Sequence, residues 1–220
     1  MTARTLPFFP LPVVLFPGVT LPLHIFEPRY RRMVADVMEG DRRFALARLP
    51  EGLAETELPR GHVGCVAHIE QVQMLADGRS NIAVMGQERV ALDHYVTSAL
   101  PYHVVTVNGY GDDAPAAPGD EETADRLRST FGRVADAARR LSEDRRTLPE
   151  LPDDPALLPF RIAAMIDLDL DTRQEILESR SVTARLSALQ SLLDRALPPL
   201  EERAAAHERA KSNGHGALEQ

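Results

Sequence analysis

Between Thr5 and Phe26 the chain carries no Asp, Glu, Lys or Arg, and five prolines break the run: Pro7, Pro10, Pro12, Pro17 and Pro22. A charge-free stretch of that length could cross a membrane as a helix. Each proline, however, removes an N–H donor and blocks the helix that a span requires. The run therefore reads as extended, buried chain, and no exported or membrane-anchored segment is implied.

The other constraint is chemical. Of the 25 basic residues in the 220-residue chain, Lys211 is the sole lysine. No Gly-Lys-[Ser/Thr] step is present to cradle phosphates, and Ser–Lys dyads or Schiff-base lysines have a single candidate in a polar tail. Net charge is −8, concentrated in the second half, so the basic excess that nucleic acid demands is missing. One cysteine, Cys65, cannot form an internal disulfide and fits a reducing, cytoplasmic setting.

Along the chain, Val13–Phe16 reads as a β-type run closed by a type II turn at Pro17-Gly18. Leu21 to Phe26 resumes extended chain, Pro28 opens a helix that Gly40 stops, and Phe44–Ala47 is a further strand. Val63, Cys65, Ala67 and Ile69 alternate, Asp77-Gly78 marks a hairpin, and two more strands follow. The expectation for residues 1–110 is about six strands and one helix curled into a small barrel. Residues 111–119 read as a linker and residues 120–198 as a helical bundle. There Leu127, Phe131, Val134, Ala138 and Leu141 recur at helical spacing, Thr172 and Glu175 have capping-box spacing, and Ser181 caps a last helix that Pro198-Pro199 should stop. Residues 199–220 read as a polar, disordered tail. The fold class is α+β.

Four patterns resemble chemistry and each has a plainer explanation. Asp167, Asp169, Asp171 and Glu178 fall at calcium-loop positions, but Thr172 stands where the loop needs Gly, and acids before a helix are favourable for dipole reasons. His62, Cys65 and His68 are zinc-ligand types, yet on a strand Cys65 faces away from both histidines, so no metal is expected. His94 and His103 could meet across a turn and support a hydrolase that also draws on carboxylates. Arg139, Arg140, Arg145 and Arg146 flank Glu143-Asp144 and read as a solvated helix end. Apolar mass instead concentrates in Phe8, Phe9, Phe16, Leu21, Leu23, Ile25 and Phe26. Most of it belongs in the core; any remainder forms a patch able to bind extended polypeptide.

The stretch Phe9-Pro10-Leu11-Pro12-Val13-Val14-Leu15-Phe16-Pro17-Gly18, followed by Leu21-Pro22-Leu23-His24-Ile25-Phe26-Glu27-Pro28-Arg29-Tyr30, resembles the start of the Lon protease N-terminal, substrate-binding domain, in its stand-alone form. Val63-Gly64-Cys65-Val66-Ala67-His68-Ile69, Gly86-Gln87-Glu88-Arg89 and the helical segments Gln174–Glu178 and Val182–Leu186 are similar to later parts of that family. The resemblance implies a PUA-like, barrel-type domain with one helix, then a helical bundle, engaging protein substrates. The ATPase and peptidase of the full protease need a P-loop and a Ser–Lys dyad. The expectation is therefore a non-catalytic, cytoplasmic module without cofactor or metal. It would bind unfolded or extended polypeptide, or a protein partner, and neither nucleic acid nor membrane. Phe16, Leu23, Phe26, Arg29 and Tyr30 are the candidate contact residues, and a PUA-like RNA-binding protein is the further alternative.

Overall fold

Six strands and five helices follow in the order β1 (Arg4–Leu11), β2 (Thr20–Ile25), α1 (Pro28–Met38), β3 (Arg43–Arg48), β4 (Val63–Met74), β5 (Ser80–Val96), β6 (Val104–Gly109), α2 (Asp120–Ser142), α3 (Leu158–Met165), α4 (Leu170–Glu178) and α5 (Val182–His215). The computed structural model describes residues 3–142 and 148–215, with side chains as far as residue 210. Arg145, Arg146 and the Glu143-Asp144 pair thus lie outside the described residues. The class is α+β.

Two compact units emerge: Met1–Asp113 with Ala163–Arg180, and Ala114–Ile162 with Ser181–Gln220. Residues 163–180, grouped with the helices on sequence grounds, belong instead with the sheet. The reason is a set of polar ties that local periodicity cannot reveal. Gln174 Nε2 donates to the Val63 carbonyl at 2.9 Å, and Arg48 reaches the Leu170 carbonyl and the Asp171 carboxylate.

The sheet of the first unit is mixed, in the order β2-β5-β4-β3-β1-β6, with β6 also paired to the second half of β5. Strand β1 changes partner along its length, lying antiparallel to β6 through Arg4–Pro7 and parallel to β3 through Phe8–Leu11. The first strand is therefore Arg4–Leu11 rather than Val13–Phe16. Prolines at 7 and 10 hide it from a propensity reading, because they can occupy only positions where no ladder bond needs their N–H.

Both faces of this sheet are buried. Phe9, Phe44, Leu46, Cys65, Ala67 and Ile69 join α1 residues in one core, while Phe8, Ala45, Ala47, Val66, Val90 and Val105 form another. Sheets covered on both sides read as continuous apolar runs, which is why Phe44-Ala45-Leu46-Ala47 shows no alternation. The expected turn at Pro17-Gly18 is present: Gly18 has φ 71°, and the Val19 N–H donates to the Phe16 carbonyl. It folds the chain against β5, where Gly18 N–H donates to Gly86 O and Gly86 N–H to Val19 O. A Cβ at Gly86 would collide with the Phe16 carbonyl and crowd Cys65 Sγ, so only glycine fits this approach.

In the second unit α2 packs on α5, with Leu127 and Phe131 of α2 and Leu186, Leu189 and Leu193 of α5 buried. The α2 stripe differs from the expected one: Ala124, Ala135 and Ala137 are buried and Ala138 is exposed. Ser181 caps α5 as expected, its Oγ accepting the Ala184 N–H. Helix α5 does not stop at Pro198-Pro199 but runs to His215, which corrects the expectation of a disordered tail from residue 199. Interior prolines cost a hydrogen bond and a steric clash. Tertiary ties offset that cost: Arg133 of α2 grips the Glu201 carboxylate with bonds of 2.9–3.1 Å, and Ala204 is fully buried.

Candidate functional site

The crossover from β2 into α1 produces an exposed aromatic group. Ile25 ends β2 inside the core, and Pro28 at the first helical turn holds the residue before it, the helix N-cap Glu27, in extended conformation (φ −67°, ψ 134°). Phe26, between them, is 58 % exposed in a region where neighbouring aromatics are buried. Its ring stacks on His24 at 6.1 Å, and His24 Nδ1 is 2.7 Å from Asn81 Oδ1. Beside Phe26 opens a pocket of about 90 Å³ whose apolar lining is Phe9, Leu11, Leu23, Ile25 and Tyr30, with His24 and Glu27 as its polar members.

A polar clasp fixes the residues under the pocket. Tyr30 stacks on Phe9 with ring centroids 4.0 Å apart, and the Arg29 guanidinium lies 4.4 Å above the Tyr30 ring. Arg29 donates two bonds to the Glu55 carboxylate, at 2.6 and 2.7 Å, and a third to Glu27 at 2.9 Å. Paired bonds of this kind fix orientation as well as energy. Tyr30 Oη donates to Glu55 at 3.2 Å, His103 Nε2 lies 3.2 Å from it, and Tyr95 Oη donates to the Glu55 carbonyl. Burial, and then the adjacent Glu55 charge, push the Tyr30 phenol well above its ordinary range, so it stays a neutral donor.

Of the five candidate contact residues, Leu23, Phe26 and Tyr30 line this pocket and Arg29 braces it. Phe16 does not belong to it. At 1 % exposure it is core, because the Pro17-Gly18 turn presses it against β5. Leu11 and Glu55 were missed by sequence reading. Glu55 sits in a polar loop without a local signature, and its partners Arg29, Tyr30, Tyr95 and His103 are all distant in sequence.

The other candidate clusters do not assemble. His94 is held by Asp93 at 3.0 Å and faces Thr106 in the strand register, whereas His103 goes to Glu55. His62 bonds the Arg48 carbonyl, His68 bonds Glu70, and Cys65 is buried between the sheet strands with its thiol pushed up by burial. Burial also lowers the His62 pKa, which keeps that ring neutral. Asp169, rather than Thr172, is the N-cap of α4: its carboxylate accepts the Thr172 N–H at 2.8 Å and the Thr172 hydroxyl at 2.7 Å. Asp171 pairs with Arg48. No group of three or more His, Cys, Asp or Glu side chains able to hold a metal occurs among the described residues.

Arg89, the last residue of Gly86-Gln87-Glu88-Arg89, has a structural part to play. Its buried guanidinium donates to the carbonyls of Leu177 and Ser179 and to the Asp112 carboxylate. It thereby satisfies backbone acceptors that the end of α4 leaves open.

The family model for the substrate-binding domain of ATP-dependent protease La (Lon) matches residues 5–195. The chain belongs to the Lon substrate-binding domain family. Lon protease 2 of Herpetosiphon aurantiacus is 28 % identical over 203 residues, which is 91 % of this chain and 25 % of the relative. The Lon protease of Xanthomonas oryzae pv. oryzae is 30 % identical over 86 % of this chain and 23 % of its own length. The chain thus spans about a quarter of the length of these relatives. Among solved structures, the N-terminal domain of Mycobacterium avium complex Lon protease superposes with TM-score 0.65 at 18 % identity, covering 87 % of this chain and 98 % of that one. A Lon N-terminal domain protein from Xanthomonas campestris gives 0.58 at 22 % identity, covering 86 % and 98 %. These structural likenesses establish the Lon N-terminal fold. No helix among the described residues is long and apolar enough to cross a membrane.

Proposed function

We propose that this chain is a non-catalytic module that captures extended or unfolded polypeptide, or a protein partner, at the pocket beside Phe26. The observation that carries the reading is an aromatic side chain 58 % exposed at an open apolar pocket, in a domain of the Lon substrate-binding family. Exposed apolar surface of this kind costs solvation in the free protein and gains it back on binding. Leu23, Phe26 and Tyr30 form the contact surface, and the Arg29–Glu55 clasp keeps Tyr30 and the 51–59 loop in place.

Chemistry resides elsewhere. The sequence offers one lysine and no phosphate-cradling Gly-Lys-[Ser/Thr] step. A hydrolase built on His94 and His103 would need them to converge, whereas they serve Asp93 and Glu55 separately. An RNA-binding face would need a cluster of available arginines, whereas Arg4, Arg29, Arg43, Arg79 and Arg89 each hold a carboxylate. A cytoplasmic location agrees with the free, buried Cys65. The pairing of β5 with both β4 and β6 supports the PUA-like, barrel-type description of the first unit, and the α2–α5 seam supports the bundle description of the second.

Fluorescence anisotropy with a labelled, permanently unfolded protein, and with the same protein in its native state, tests the reading. The chain should bind the unfolded form alone, and Phe26→Ser should weaken binding about tenfold, equivalent to about 1.4 kcal/mol. Equal binding by the Phe26→Ser variant, or failure to bind unfolded protein, overturns it.

A further inference from the structure

The dimensions and charge of the pocket beside Phe26 specify more than apolar binding. Its volume of about 90 Å³ is well below the roughly 150 Å³ void that admits benzene and the roughly 300 Å³ or more of small-molecule sites. At that volume one branched aliphatic side chain fills the pocket, whereas an aromatic ring would stand partly out of it. Two of the lining residues are held in place: Phe9 and Tyr30 are buried and stacked together, and Tyr30 is tied through Glu55 to Arg29.

The polar lining is Glu27 and His24, with no Lys or Arg. Arg29, the cation bonded to Glu27, is shared with Glu55, so two carboxylates divide a single guanidinium. Further along α1, Arg31 leans over Gly78 in the β4–β5 turn instead of lining the pocket. The Glu27 side chain is 40 % exposed, so it can still meet an incoming cation.

We infer that the pocket selects an extended segment carrying one branched aliphatic side chain, Leu, Ile or Val, with a Lys or Arg two positions from it. In an extended segment residues i and i+2 lie on one face about 7 Å apart, so an aliphatic anchor and a basic neighbour can engage the pocket and its acidic edge together. This selectivity rests on the polypeptide-binding reading and adds to it a size limit and a charge preference. Aromatic anchors are too large, and acidic neighbours face Glu27.

The test uses the full chain and labelled ten-residue host peptides of Gly, Ser and Thr. Their central residue is Leu, Trp or Ala, and the residue two positions away is Lys or Glu. Anisotropy should give the Leu/Lys peptide about tenfold tighter binding than Leu→Trp or Leu→Ala, a difference of the size expected for filling an apolar pocket. Lys should exceed Glu by about threefold at low salt, a preference that fades as salt screens it. Leu23→Ala enlarges the pocket and should shift the preference toward Trp. Glu27→Gln should erase the Lys-over-Glu preference and leave Leu over Ala intact.

Wild-type binding of Trp as tight as Leu, or no shift in Leu23→Ala, overturns the size limit. A Lys preference unchanged in Glu27→Gln overturns the charge assignment. Both outcomes would leave the polypeptide-binding reading standing. If no peptide binds while the unfolded protein does, the inference alone fails; if neither binds, the underlying reading fails with it. Melting curves for Leu23→Ala and Glu27→Gln confirm that each variant is folded.

Discussion

In the sheet unit, neighbouring residues of one strand enter different cores: Phe8 and Phe9, Ala45 and Leu46, Cys65 and Val66 each part in this way. The helical unit instead buries part of each helix where α2 meets α5, Leu127 and Phe131 with Leu186, Leu189 and Leu193 among the buried residues. Strand β2 differs: it lies at the end of the strand order, and only its last residue, Ile25, is buried. Phe26 sits at the crossover just past that residue. The exposed aromatic thus lies at the margin of the sheet unit.

The largest effects should come from emptying either core. Phe44→Ala removes a fully buried ring at the centre of the sheet unit and should cost about 3–5 kcal/mol, read by urea denaturation. Loss of the cooperative transition of the sheet unit is the expected sign; a change within experimental error would mean the two-core description is wrong. Leu189→Ala, fully buried in α5, should cost about 2–5 kcal/mol and lower the melting of the helical unit. Calorimetry should then resolve two transitions where Phe44→Ala and Leu189→Ala each move a different one. Both variants moving the same single transition would erase the distinction between the units.

The smallest effect is a pH dependence confined to the sheet unit. Burial, and then the hydrogen bond to Asp36, push Tyr102 up to about 12 from 10.0. A raised acid favours its protonated form in the folded state, so this stabilisation is complete below pH 10 and is lost as pH rises through about 12. Asp36 is held below 3.8 by its bonds from Arg32 and Tyr102, so its contribution is present above that value and lost as pH falls. Tyr102→Phe should therefore be less stable than wild type near neutrality and should lose stability less steeply above pH 10. Parallel urea melts at neutral and alkaline pH check this, and identical alkaline slopes would remove Tyr102 from the account.

Local features were readable in advance. The turn at Gly18, the hairpin at Gly78 and the cap at Ser181 depend on residues within a few positions of one another. Strand β3 was readable because four consecutive apolar residues can be buried together only between two cores. Strand β1 was not, since its prolines argue against a strand until β3 and β6 are seen to supply the pairing. The α4 cap was misplaced by three residues because Asp169 and Thr172 both have capping chemistry, and backbone geometry chose the former. The course of α5 through two prolines was hidden for a related reason: intrinsic propensity gives way when Glu201 and Ala204 gain partners across the seam.

At the candidate site the division is sharper. Sequence order alone placed Leu23, Phe26, Arg29 and Tyr30 within eight positions and marked them as apolar and basic groups beside a proline-started helix. It could not separate Phe26 from Phe16, since both are aromatic residues in the same charge-free run. Tertiary structure separated them by folding one against β5 and leaving the other at a strand-to-helix crossover.

Sequence by itself made residues 5–26 read as extended chain rather than a membrane helix, left lysine chemistry a single remote candidate, and carried the resemblance to the Lon substrate-binding family. Those conclusions rest on covalent facts: a missing proline N–H, a missing ammonium, an ordered series of side chains. The pocket and the set of residues that line it were decided only in three dimensions. Arg29 meets Glu55 across 26 residues and Arg89 meets Ser179 across 90, distances over which no local pattern carries information.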